Sequence, residues 1–234
     1  MSLKNLIKKI FYQYFKKDSH YYYNINNNKI NFREFIGDQW NEIGELQFSF
    51  LKSKGLKPHH KLIDIGCGSL RGGVHYIKYL DEFNYFGTDI NQNLINYGLE
   101  KELNIELKKK IKLANFIVSK NFDFNFETKI FDYAIALSLF THLRKNNIIQ
   151  CLKNINKKIK NGIFYATFFV VDDKDKNFPF NQSKQITTYN YKDPFHYTLD
   201  EIKDMAVKSN FEYQLIDDFI HPRNQKMIAF FKKT

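Results

Sequence analysis

Residues 61–73 read KLIDIGCGSLRGG, and this stretch decides the fold. Leu62, Ile63 and Ile65 make a short apolar run suited to a buried strand, and the glycines after Asp64 force a tight turn. Gly66 and Gly68 reach backbone conformations that other residues resist, and they leave room for a ligand against the main chain. The stretch predicts a strand, a glycine turn and a helix at 74–80, with a nucleotide-like cofactor over the turn.

Outward from this turn, strands and helices alternate. Upstream, Trp40, Ile43, Leu46, Phe50 and Leu51 give an apolar side to a helix at 38–54, closed by Gly55 and Pro58. Downstream, strands are expected at 85–90, near 117–118, at 133–137 and at 163–170. Helices are expected at 91–107 and 144–159, with Gly162 separating the second from its strand. A helix at 199–208 and strands at 213–217 and 227–231 complete the pattern. Such alternation predicts an α/β fold, a parallel sheet flanked by helices. Residues 172–193 break the rhythm as a polar stretch without clear structure. Ligands of open α/β sheets bind outside the carboxyl ends of the strands, which makes this stretch an acceptor lid. Residues 1–57 form an N-terminal helical extension and cofactor-covering segment, and 58–234 form the binding domain.

The glycine stretch resembles motif I of the class I methyltransferases that use S-adenosylmethionine. The similarity continues through Asp89, the FDYAIALSLFTHL segment at 131–143 and the alternating C-terminal strands, so it covers the chain from about Leu46 to its end. GCG followed by LRGG, a Trp-containing lead-in and HPRNQKM at 221–227 resemble methyltransferase-like proteins of bacterial surface-polysaccharide gene sets. The resemblance implies a Rossmann-like three-layer sandwich with a seven-stranded, mostly parallel sheet whose last strand is antiparallel.

It also implies roles for residues. Asp64, Gly66, Cys67, Gly68 and Ser69 would serve the methionine part of the cofactor. Asp89, with Ile90 beside it, would hold the ribose, because two carboxylate oxygens match two vicinal hydroxyls. Asn121 or Phe122 would meet the adenine. Leu137 opens a segment that passes beneath the sulfonium, and Ser138 and His142 within it would face the acceptor. Trp40, Glu45 and Gln47 would reach the pocket from the preceding helix. Leu70 stands where the family has a third glycine. A dinucleotide site is the weaker alternative, since GxGxxG wants glycine at 71 and finds Arg71.

Methyl transfer to a hydroxyl benefits from a general base. Among the seven histidines, His142 is the first candidate by position and His196, in DPFHYT, the second. Arginines are few against many lysines, and their rigid donor forks suit phosphate or carboxylate. Arg71, at the cofactor turn, is a candidate for the acceptor side with Ser138 and Trp40, the alternatives being the methionine carboxylate of the cofactor or a pair with a neighbouring acid. Arg144 and Arg223 are candidates of the same kind.

Composition bounds the partners. The formal charge of +11 over 234 residues fits acidic small substrates, anionic lipid surfaces or nucleic acid. The lysines are dispersed, no nucleic-acid module stands out, and the segment at 137–142 is unlike the NPPY motif of amino-directed enzymes. A nucleic-acid substrate is therefore not expected. The expected acceptor is a small anionic metabolite, a sugar nucleotide or a phosphoryl-bearing glycan precursor. Cys67 and Cys151 suggest neither a disulfide framework nor a zinc site, and no metal is expected from the ligand spacing. Apolar residues at helical spacing over 3–15, interleaved with lysines, predict a basic amphipathic helix that could pack in a monomer or homodimer or touch a membrane surface. Without a signal core or spanning segment, the expected location is the cytoplasm, with peripheral membrane contact left open. The functional alternative is a noncatalytic scaffold on the same fold, attached through that basic helix.

Overall fold

The computed structural model describes residues 32–35 and 39–232 apart from 129. The basic helix and the Asn-rich stretch at 18–31 lie outside the described residues. After a single helical turn at Phe32–Phe35, the helices are α1 (Trp40–Ser53), α2 (Gly73–Tyr79), α3 (Gln92–Tyr97), α4 (Ile105–Lys109), α5 (Lys145–Asn156) and α6 (Leu199–Lys208). The strands are β1 (Leu62–Ile65), β2 (Tyr85–Asp89), β3 (Phe116–Val118), β4 (Phe131–Ala136), β5 (Ile159–Val170), β6 (Phe180–Ser183), β7 (Ile186–Thr188), β8 (His196–Tyr197), β9 (Phe211–Ile216) and β10 (Lys226–Lys232).

The main sheet runs β3-β2-β1-β4-β5-β10-β9, with β8 added alongside β5. The strands from β3 to β5 pair in parallel, while β10 is antiparallel to both β5 and β9. This is the fold implied by the sequence, with one short extra strand. The chain crosses from β1 to its neighbour β4 after first building β2 and β3 on the other side. The strand order thus reverses between β1 and β4, where a crevice opens at the carboxyl ends.

Period-two alternation sends the apolar side chains to two faces, each covered by helices. On one face Ile63, Phe86, Ala134, Phe164 and Phe230 pack with Ile148 and Leu152 of α5 and Ile202 and Met205 of α6. On the other, Leu62, Tyr85, Ile135 and Tyr165 pack with Ile43 and Leu51 of α1 and Tyr76 of α2. Each fully buried aliphatic chain of this kind contributes about 1.5–3 kcal/mol. A capping box starts α6: Glu201 N donates to Thr198 Oγ1 at 3.2 Å, and Thr198 N donates to Glu201 Oε2 at 3.1 Å.

Three expectations are corrected. The helix at 91–107 is broken: α3 ends at Tyr97, a π-helical turn covers Gly98–Glu102, and Asn104 caps a separate α4. Gly162 does not precede β5 but lies within it, where a Cβ would come 2.5 Å from the Asp132 carbonyl oxygen of β4. The stretch at 172–193 is not structureless, since β6 and β7 form an antiparallel hairpin there. Among the described residues, no helix is long and apolar enough to cross a membrane.

The glycine turn keeps its left-handed geometry despite the leucine. Gly66 and Gly68 have φ of 76° and 53°, and Leu70 has φ of 67° with its side chain fully buried. The left-handed region costs a leucine about 1–2 kcal/mol. Removing a buried leucine side chain costs about 2–5 kcal/mol. Leu70→Gly is therefore expected to lose about 1–3 kcal/mol of stability, read as a lower midpoint in chemical denaturation.

Candidate active site

The crevice between β1 and β4 opens into a cavity of about 250 Å³. Asp64 and Gly66–Gly68 supply its floor, Asp89 and Ile90 one side, and Leu137–Leu139 and His142 the other. Asp89 joins two elements: its Oδ2 accepts from Gly68 N and its Oδ1 from Asn91 N, both at 2.9 Å. The carboxylate at the end of β2 thereby pins the glycine turn at the end of β1. Each of its oxygens retains acceptor capacity for a hydroxyl. Burial pushes the Asp89 carboxyl up, against the lowering effect of its backbone donors.

Asp64 sits beneath the turn and accepts from Tyr85 Oη at 2.8 Å. Burial raises its carboxyl to about 7, with the Tyr85 hydrogen bond acting in the opposite direction. Ser69 is fully buried, does not line the cavity, and its hydroxyl has no hydrogen-bond partner. Cys67 lines the cavity, and burial holds its thiol well above the usual range. A thiol kept neutral is a packing group here.

On the β3 side, Phe122 lines the cavity with φ of 58°, together with Ile90 and Leu94. Its carbonyl and that of Asn121 both accept from Asn154 Nδ2, at 3.1 and 3.2 Å, which holds this left-handed corner from α5. Asn121 is exposed and does not reach the cavity. Of the two residues expected near the base, the structure brings in Phe122 only.

On the β4 side, Ser138 also has a left-handed backbone, φ 60°. Its N–H donates to Thr167 Oγ1 at 2.7 Å and its hydroxyl to Gln225 Oε1 at 3.1 Å. Two non-glycine residues in strained conformations thus face the same cavity, as is common where function overrides local preference. His142, one turn on, places Nδ1 2.5 Å from Asp193 Oδ1. An ionised carboxylate only accepts, so Nδ1 is the nitrogen that donates to Asp193, and in a neutral imidazole with that tautomer Nε2 is the acceptor. Sequence reasoning did not single out Asp193, because a carboxylate 51 residues away carries no local signal.

His196 stands elsewhere. It is buried in β8, its Nε2 bonds the Lys176 carbonyl at 3.1 Å and its Nδ1 meets Thr188 Oγ1 at 2.9 Å. It ties the hairpin segment to the sheet and does not line the cavity. Trp40 also lies outside, half-buried, with the Arg33 guanidinium 4.9 Å from its ring centroid. Glu45 faces His75 at 3.3 Å. From the same helix, Gln47 is buried against Gly72 and does line the cavity.

Arg71 is buried at the cavity, and Arg223 reaches it from the loop joining β9 to β10, with Arg144 also on the lining. Burial, then the like charge of Arg223, lowers the Arg71 guanidinium to about 10. Even so it is cationic at neutral pH. His221, beside them, is depressed to about 3 by burial and by both arginines, and so stays neutral.

Residues 63–163 match the methyltransferase domain family. The match runs from β1 to the start of β5 and includes Asp64, the glycine turn, Asp89, Ser138 and His142. Magnesium protoporphyrin IX methyltransferase from Synechocystis PCC 6803 with bound S-adenosylmethionine superposes with a TM-score of 0.56 at 11% identity, covering 100% of this chain and 98% of that one. The YcgJ protein from Bacillus subtilis superposes with a TM-score of 0.58 at 11% identity, covering 81% and 99%. A segment of 66 residues is 29% identical to phosphoethanolamine N-methyltransferase 1 of Arabidopsis thaliana, spanning 28% of this chain and 13% of that protein. The likeness to the solved structures lies in the fold, and the cavity lies at the crevice where that fold places ligands.

Proposed function

We propose that this protein transfers a methyl group from S-adenosylmethionine to an oxygen of a small anionic acceptor, with His142 as general base. The observation that carries the reading is the His142–Asp193 pair at the rim of the cavity, opposite the pinned glycine turn. The donor set fits the cofactor: Asp89 for the ribose hydroxyls, an apolar slot of Ile90, Leu94 and Phe122 for the base, and Asp64 for the amino group. When bound, S-adenosylmethionine supplies an activated methyl group on its sulfonium. The chain's own part is alignment, exclusion of water and removal of one proton. Ser138, fixed by Thr167 and Gln225, lines the passage between cofactor and acceptor. His142 Nε2 takes the acceptor's hydroxyl proton, and Asp193 holds the ring in the tautomer that can do so and offsets the charge that develops.

The acceptor class rests on Arg71, Arg144 and Arg223 of the cavity lining and on the resemblance to surface-polysaccharide methyltransferases. Sugar phosphates and nucleotide sugars are the substrates to try first. A noncatalytic scaffold would need neither an open cavity nor an oriented base. The test is calorimetric titration of the full chain with S-adenosylmethionine and with S-adenosylhomocysteine, followed by transfer of labelled methyl to that panel. Micromolar binding of both and label in a product are expected; a folded protein that binds neither overturns the reading.

Asp64 makes cofactor binding pH-dependent. Its carboxyl, raised to about 7, is protonated in a growing fraction of molecules below that pH. An ammonium group selects the ionised form, so binding at acid pH must expel the proton. Affinity for S-adenosylhomocysteine is expected to be flat above about pH 8 and to fall toward about tenfold per unit below pH 6. Calorimetry in buffers of different ionisation heat should show up to one proton released per site in the falling range.

A further inference from the structure

The cavity lining concentrates positive charge. Arg71, Arg144, Arg223 and Lys120 line the space against two carboxylates, Asp64 and Asp89. S-adenosylmethionine brings a sulfonium, an ammonium and a carboxylate, so on binding it adds one more net positive charge. The loaded cavity therefore attracts an anion, and in a water-poor space that attraction is several times stronger than at an open surface.

The fold assigns this charge to two ends. Asp89, Ile90 and Phe122 stand at the ends of β2 and β3 and match the adenosine. Arg223 comes from the loop between β9 and β10, at the far side of β4 and β5. That loop is fixed in place: His221 Nδ1 accepts from Arg223 N at 3.1 Å, and buried Gln225 holds Ser138. Arg71, leaving the glycine turn, stands between the two ends and feels the charge of Arg223.

We propose that Arg71 and Arg223 form a subsite for a phosphoryl group on the acceptor. This rests on the methyl-transfer reading and extends it to the chemistry of the substrate. One guanidinium fork satisfies the two oxygens of a carboxylate. Two forks arriving from different elements suit a group with three outward oxygens and close to two negative charges. Bound there, the phosphoryl group holds the acceptor beside Ser138 and turns a neighbouring hydroxyl toward His142. Arg223 is a binding residue in this scheme, not a catalytic one.

The test is titration of the full chain with inorganic phosphate and with pyrophosphate, with and without saturating S-adenosylhomocysteine, using acetate as the carboxylate probe. Phosphate and pyrophosphate are expected to bind with and without the cofactor product, and acetate at least about tenfold more weakly. Arg223→Gln should weaken phosphate by about tenfold or more, and Arg223→Lys by less, while affinity for S-adenosylhomocysteine changes less than about twofold. Phosphate binding that ignores both substitutions overturns the proposal, as does acetate binding as tightly as phosphate. A parallel loss of S-adenosylhomocysteine affinity would assign Arg223 to the cofactor's carboxylate and also overturn it. If S-adenosylhomocysteine fails to bind the native chain, the methyl-transfer reading falls, and the phosphate arm without it still decides whether the arginines form an anion site.

Discussion

His142→Gln is expected to lower the turnover of methyl transfer by about 100- to 10,000-fold, the usual contribution of a positioned general base. Glutamine approximates the size of the ring and can still bond Asp193, but it has no group that accepts a proton near neutral pH. Cofactor affinity should be almost unchanged, because the proposed binding atoms belong to Asp64, Asp89 and the glycine turn. Asp193→Asn is the companion variant. An amide facing Nδ1 no longer selects the tautomer whose Nε2 is the base, and it does not offset the imidazolium charge. A loss of about 10- to 1000-fold in turnover is expected, with little change in KM. Full activity in both variants would remove His142 from the mechanism.

Asp89→Ala is expected to abolish measurable cofactor binding, a loss of about 3–5 kcal/mol or more than 100-fold. In the proposed binding mode the carboxylate would accept from two ribose hydroxyls, while each of its oxygens already accepts a backbone amide, from Gly68 and from Asn91. Alanine deletes the ribose contacts and leaves both amides short of an acceptor beside the turn. The turn therefore loosens as well, and stability should drop by about 1–3 kcal/mol. Calorimetry with S-adenosylhomocysteine reads the first effect and denaturant unfolding the second. A variant that melts lower yet keeps native affinity would limit Asp89 to the structural role. Asp89→Asn separates the two less cleanly, since its amide nitrogen would have to face one of the donors.

Much of the fold was legible because apolar periodicity and turn chemistry are local. The strands near 62–65, 85–89 and 131–136 and the helix at 199–208 each announce themselves within a few residues. The break after Tyr97 was not legible, since a pattern continuous at 3.6 residues per turn does not show a π-helical turn inside it. Gly162 misled for a related reason: its role is the approach of β5 to the Asp132 carbonyl, a contact made across the sheet. The hairpin at 180–188 hid in polar sequence because its strands bury little and pair mainly with each other.

The site divides in the same way. Asp64, Gly66, Gly68 and Asp89 are fixed by the alternation of strand and turn, because ligand groups at strand ends follow from where strands end. By itself the sequence also determined the methyltransferase resemblance and the candidacy of His142. Only the tertiary structure separated His142 from His196, by placing one at the cavity against Asp193 and burying the other under the hairpin. It also brought Arg223 to Arg71 across 152 positions of sequence, and it left Trp40 and Asn121 outside. The physical reason is that hydrogen bonds and charges act through space at a few ångströms, and the sheet order that sets those distances is decided by packing of the whole chain.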